Sequence, residues 1–118
     1  MPRSILVADD DAAMLRLYVR LFTDSGYSVT TVSSFAAAAG LIETKNYDLL
    51  VTDLMLSDGL GTELIKLFEE KRADAKSLLV TGSDSVEEIL SRAGIDDYFT
   101  KPFKVAHFMA AVDRMLAA

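Results

Sequence analysis

Apolar positions along the 118-residue chain follow two alternating rhythms. Residues 5–8, 28–32, 49–52, 78–81 and 98–100 form short runs rich in Leu, Ile and Val, each about as long as a buried strand. Three of these runs are almost continuously apolar, which a strand covered by helices on both faces requires. They predict a parallel sheet. Between the runs, apolar residues recur three and four positions apart: Met14, Leu17, Leu21 and Phe22, then Phe35, Ala38, Leu41 and Ile42, then Leu64, Ile65 and Phe68. Val86, Ile89 and Leu90 mark a fourth stripe, and Val105, Phe108, Met109, Val112, Met115 and Leu116 a fifth. Each stripe predicts a helix with one buried face, and the methionines read as core filler.

The residues between these segments support the same division. Asp11, Ser33 or Ser34, and Ser83 or Asp84 stand where helices should start, offering side-chain oxygens to unpaired backbone N–H groups. Gly26, Asn46 and Gly94 stand where three helices should stop. Strict alternation of strand and helix with short connections forces right-handed crossovers. The expected fold is therefore α/β, a (βα)5 flavodoxin-like, doubly wound parallel five-stranded sheet with strand order 2-1-3-4-5. Residues 1–118 read as one domain, without linker, repeat or low-complexity tail.

Composition narrows the chemistry. Hydrophobic residues make up 51% and charged residues 25% of the chain, ordinary for a globular domain. The net charge of −6 means that a surface for nucleic acid would have to oppose the protein's own field, so no direct nucleic acid binding is expected. The lack of Cys removes disulfides, thiolate metal sites and a cysteine nucleophile. The lone histidine, His107, leaves no Ser/His/Asp constellation and reads as a surface residue beside the last apolar stripe. No apolar run reaches the length of a membrane span or resembles a signal peptide, so no membrane association and a cytoplasmic location are expected.

The informative residues stand at the carboxyl ends of the predicted strands, where open α/β sheets bind ligands. Asp9-Asp10-Asp11 follows the first, Asp53 the third, Thr81-Gly82-Ser83 closes the fourth, and Lys101-Pro102 follows the fifth. The expected strand order puts these segments on one rim. There, the carboxylates of Asp9, Asp10 and Asp53 face a single ammonium, Lys101, and a divalent cation neutralises the two charges left over. Hard oxygen ligands with retained waters suit Mg2+, which sits roughly 2.1 Å from its ligands and works beside phosphate oxygens. Plainer readings exist for each residue: helix cap and first-turn acids for Asp9 to Asp11, a turn before Ser57-Asp58-Gly59 for Asp53, a β-branched strand end for Thr81, a sheet-edge side chain for Tyr98. Their joint occurrence, in order and each after its own strand, favours one site.

That combination resembles the receiver domains of two-component response regulators, with a likeness running from about residue 4 to residue 116. The resemblance implies that Asp53 is the phosphoacceptor and that Asp9 and Asp10 form the acidic pair at the metal, Asp10 being the direct ligand. It implies a metal-binding backbone carbonyl at Met55, a switch hydroxyl at Thr81 and a switch aromatic at Tyr98. Lys101 matches the family's phosphate-binding lysine, followed by a proline that is usually cis, and Asp11 falls outside the pocket. Ser57 departs from the proline common in the family, which leaves the loop after Asp53 less constrained.

The implied function is a phosphorylatable signalling switch of a phosphorelay. Asp53 would take a phosphoryl group in a Mg2+-dependent, self-catalysed reaction and lose it again to water, and the fourth helix, fifth strand and fifth helix would change their surface. No other catalysis is expected. The implied partners are a sensor histidine kinase or phosphotransfer protein, a downstream effector protein or fused output domain, and a second copy in a phosphorylation-dependent homodimer. An alternative is a receiver-like interaction module that ignores phosphorylation, against which the intact set of Asp10, Asp53, Thr81 and Lys101 stands. A flavodoxin-like nucleotide or flavin carrier would want glycines and small hydroxyls where Asp9, Asp10 and Asp11 stand. A haloacid-dehalogenase-like phosphatase would want a second acid where Met55 stands. Two alanines follow Leu116, compatible with a stand-alone receiver or a domain of a longer regulator.

Overall fold

The computed structural model describes residues 2–82, 87–92, 94 and 98–117. Its elements run β1 (Ser4–Ala8), α1 (Ala12–Asp24), β2 (Ser28–Val32), α2 (Phe35–Thr44), β3 (Leu49–Asp53), β4 (Met55–Leu56), β5 (Gly59–Leu60), α3 (Gly61–Lys71), β6 (Lys76–Thr81), α4 (Glu87–Arg92), β7 (Tyr98–Thr100) and α5 (Val105–Leu116). The five predicted strands are β1, β2, β3, β6 and β7. They pair in parallel in the order β2-β1-β3-β6-β7, which is the expected 2-1-3-4-5.

Successive strand residues point to opposite faces, and here both faces are covered. Leu6 and Ala8 of β1, Leu50 of β3 and Leu79 of β6 pack with Ala38, Ile42, Leu64, Phe68 and Leu90 under α2, α3 and α4. Their neighbours Ile5, Val7, Leu49, Val51, Leu78 and Val80 pack with Tyr18, Phe22, Phe108 and Val112 under α1 and α5. This two-sided burial is why the central runs carry no polar alternation. The second core is aromatic: the Phe103 and Phe108 rings stack at 4.5 Å, and Tyr18 stacks on Phe22 at 5.9 Å. Such pairs contribute roughly 0.5–1.5 kcal/mol beyond the area they bury.

Helix starts follow the expected caps. Asp11 accepts the N–H groups of Ala13 and Met14, and Ser34 accepts that of Ala37. Gly26 supplies the left-handed turn after α1, at φ 86°. Ser83, Asp84 and Val86, and the side chain of Ile89, lie outside the described residues.

Four details differ from the sequence pattern. The buried centre of α1 is Tyr18 with Phe22, while Leu17 and Leu21 are half-buried, because the two stacked rings, one helical turn apart, face the sheet. Val105 opens α5 exposed to solvent, and the buried face of the helix begins at Phe108. Met55 is 63% exposed and is no core filler, whereas Met14, Met109 and Met115 are half-buried. Finally, β4 and β5 form an antiparallel hairpin pairing Met55 with Leu60 and Leu56 with Gly59, too short to show a periodicity. Among the described residues, no helix is long and apolar enough to cross a membrane.

A tertiary hydrogen bond at the chain's end tests this packing. Tyr27, just before β2, donates its hydroxyl to Asp113 of α5. Burial, reinforced by the Asp113 acceptor, pushes the phenol up from 10.0 to about 12. A raised pKa in the folded state means that the contribution is whole below the unfolded value and fades as pH climbs through the folded one. The stability gap between the protein and its Tyr27→Phe variant, followed by thermal unfolding, should hold steady up to pH 10 and shrink towards pH 12. A gap that widens over that range would show that Asp113 does not hold the hydroxyl.

Candidate functional site

Parallel strands that lie side by side end on the same rim, and four of them bring the chemistry together. Asp53 is the last residue of β3 and pairs with Val80, one residue before Thr81, the last of β6. Thr81 in turn sits opposite Thr100 of β7. The Lys101 N–H donates to the Thr81 carbonyl at 2.7 Å, which pins the exit of β7 to the end of β6. The Lys101-Pro102 bond that follows is cis, as the family pattern implied. Asp9 leaves β1 with its own N–H donated to the Val32 carbonyl of β2.

From these anchor points the Lys101 ammonium reaches two carboxylates at once. Its Nζ lies 3.0 Å from Asp9 Oδ2 and 3.1 Å from Asp53 Oδ2. Asp9 is buried, and its other oxygen accepts the Asp11 N–H at 2.9 Å. Asp53 is half-open, and its Oδ1 accepts the Met55 N–H at 3.4 Å. Asp10 is exposed, yet a carboxylate oxygen of each of Asp9, Asp10 and Asp53 falls within a group spanning no more than 4.8 Å.

Charge explains the arrangement. Burial pushes the Asp9 carboxyl above its ordinary value, opposed by the Asp11 N–H and by Lys101. Burial alone would lower the Lys101 ammonium, but Asp9 and Asp53 outweigh it and hold the amine above its ordinary value. Lys101 is therefore a fixed positive charge. Three carboxylates against that one ammonium leave the group doubly negative, and all the donors are hard oxygens, so the residues fit a divalent cation. Asp10, facing solvent, leaves room for the waters that such a cation keeps.

Thr81, 2% exposed, stands at the end of β6 between the strands that carry Asp53 and Lys101. Tyr98 is half-buried in edge strand β7, packed against the core under α2, α3 and α4. Met55 is tied to Asp53 through its N–H, with its side chain in solvent. His107 is exposed on α5, and Ser83 lies outside the described residues.

Several contributors escaped the sequence reading. Thr52, fully buried, donates its hydroxyl to the Asp53 carbonyl at 2.9 Å. Gly61 opens α3 so close to Asp53 that a Cβ there would stand 2.0 Å from the Asp53 carbonyl oxygen. Asp58, read as a turn acid, accepts the Phe35 and Ala36 N–H groups at the start of α2. Those bonds to Ala36 and Phe35 hold its carboxyl below the ordinary range.

Known proteins share this architecture. The family model of the response regulator receiver domain matches residues 5–113. Response regulator MprA of Mycobacterium is 34% identical over 118 residues, which covers 98% of this chain and 51% of that protein. The chain spans about half the length of the relatives it matches. Among solved structures, a response regulator receiver protein from Sinorhizobium medicae superposes with a TM-score of 0.89 at 29% identity, covering 99% of this chain and 96% of that one. The Thermotoga maritima response regulator TrrA, solved in complex with Mg2+ and beryllium fluoride, superposes with a TM-score of 0.87 at 27% identity, covering 97% and 99%. With its pattern of residues matched over almost the whole length and its fold reproduced, the chain belongs to the receiver domains of two-component response regulators, the phosphorylatable switches of those systems.

Proposed function

We propose that residues 1–118 form one receiver domain that takes its phosphoryl group on Asp53, with Asp9, Asp10, Asp53 and the Met55 carbonyl holding Mg2+. The observation that carries this reading is the single ammonium of Lys101 shared between Asp9 and Asp53. An ammonium held by a buried carboxylate on one side and by the acceptor on the other is placed for the oxygens that will arrive at the acceptor. Complexation of Mg2+ and a phosphoryl mimic by the similar TrrA supports the choice of cation.

In the transfer, an Asp53 carboxylate oxygen attacks phosphorus in line. A new O–P bond forms while the bond to the donor breaks, and the donor atom leaves with the electron pair. Lys101 shifts its contact from Asp53 to a phosphoryl oxygen while Asp9 keeps it in place, and the Thr81 hydroxyl donates to another oxygen. When bound, Mg2+ supplies charge neutralisation at the phosphoryl oxygens. Tyr98 then turns inward and alters the surface of α4, β7 and α5. Driving such a switch from about 1:99 to 99:1 takes about 5.5 kcal/mol, within reach of a few charge-assisted hydrogen bonds at roughly 1.5–3 kcal/mol each.

A sensor histidine kinase or phosphotransfer protein is the proposed donor. An effector protein, an output domain or a second copy of the chain is the proposed recipient of the changed surface, and the setting is cytoplasmic.

Two substitutions test the assignment. Asp53→Asn should abolish the mass gain of one phosphoryl group on incubation with acetyl phosphate and Mg2+, and labelling that persists at another residue removes Asp53 as the acceptor. Lys101→Ala should slow that labelling by on the order of 10²-fold, as loss of a charge-stabilising donor does, without weakening Mg2+ in a titration. A variant that labels at the parent rate sinks the role given to the amine.

A further inference from the structure

The hairpin that follows the acceptor is tied to the start of α2. Asp58, at the two-residue turn between β4 and β5, places Oδ1 2.7 Å from the Phe35 N–H and Oδ2 3.0 Å from the Ala36 N–H. The next glycine presses on the same helix, since a Cβ at Gly59 would meet the Phe35 ring at 2.6 Å. Leu56, on the near side of the turn, is buried in the core that α2 shares. The helix does not need Asp58 to start, because Ser34 already caps it at Ala37. Nor does the carboxylate serve the helix next to it, since α3, with Leu60 at its N-cap, starts without a side-chain cap.

At its other end the hairpin carries Met55, whose N–H donates to Asp53 Oδ1 and which pairs with Leu60. A continuous path therefore runs from the start of α2 through Asp58 and the β4–β5 hairpin to the acceptor carboxylate. Neither turn residue has the fixed φ of the proline common in the family, and Ser57 is exposed. We propose that Asp58 is a positioning residue for phosphorylation: by clamping the hairpin to the start of α2 it holds the Met55 backbone against Asp53. This rests on Asp53 being the acceptor.

The test compares Asp58→Ala, Asp58→Asn and Ser34→Ala in the intact chain by amide hydrogen exchange and by acetyl phosphate labelling. Asp58→Ala should speed exchange at residues 54–57 and slow labelling, each by roughly tenfold, the scale of losing a capping interaction. Asp58→Asn keeps an acceptor oxygen for one of the two N–H groups and should fall between Asp58→Ala and the parent in both. Ser34→Ala should speed exchange within α2 and leave residues 54–57 and labelling at the parent level. Unchanged exchange at residues 54–57 in Asp58→Ala overturns the clamp, whatever labelling does. Faster exchange there with labelling within twofold of the parent overturns the positioning role. Failure of the parent itself to label at Asp53 overturns the acceptor reading, while the exchange data still decide the clamp.

Discussion

An ammonium shared by two carboxylates from different strands is the interaction around which this molecule is organised. Asp9 is out of contact with water, and a buried carboxylate beside another one is costly unless a positive charge offsets it. Lys101 provides that charge, and its contact with both acids keeps it protonated in spite of burial. The result is a group that is stable yet incompletely neutralised. Its remaining negative charge is what a divalent cation answers, so the same electrostatics that hold the rim together leave it receptive.

The sheet exists in the form that makes this convergence possible. Parallel pairing sets the ends of β1, β3, β6 and β7 next to one another, and the hydrophobic cores on both faces fix the register that does so. A slip of one residue would turn every inward side chain to the other face, which two buried faces of different composition resist. The aromatic-rich core under α1 and α5 and the mainly aliphatic core under α2, α3 and α4 thus act on the site by holding four strand ends in line.

Around Asp53, control passes from side chains to backbone. The Asp53 carbonyl is held by the Thr52 hydroxyl and approached by Gly61 so closely that no larger residue fits, while its carboxylate meets the Met55 N–H. The hairpin that delivers Met55 is too short to be stable alone. Leu56 roots it in the core and Asp58 fastens it to α2, so a loop without its customary proline is nevertheless held in place.

Much of this was legible in the amino-acid order. Continuous apolar runs announced two-sided burial, Asp11 and Ser34 announced helix starts, and Asp9, Asp10, Asp53, Thr81 and Lys101 stood out because charged and hydroxyl groups directly after buried strands belong at a ligand rim. Those signals are local: period, cap and strand end depend on near neighbours along the chain. Tertiary structure alone decided that Tyr18 and not Leu17 centres the α1 face, that both oxygens of Asp9 are engaged, that Gly61 abuts the Asp53 carbonyl, and that Asp58 serves a helix 22 and 23 residues before it. Such partners meet only after the cores have packed, and no spacing along a chain encodes which surfaces packing will press together.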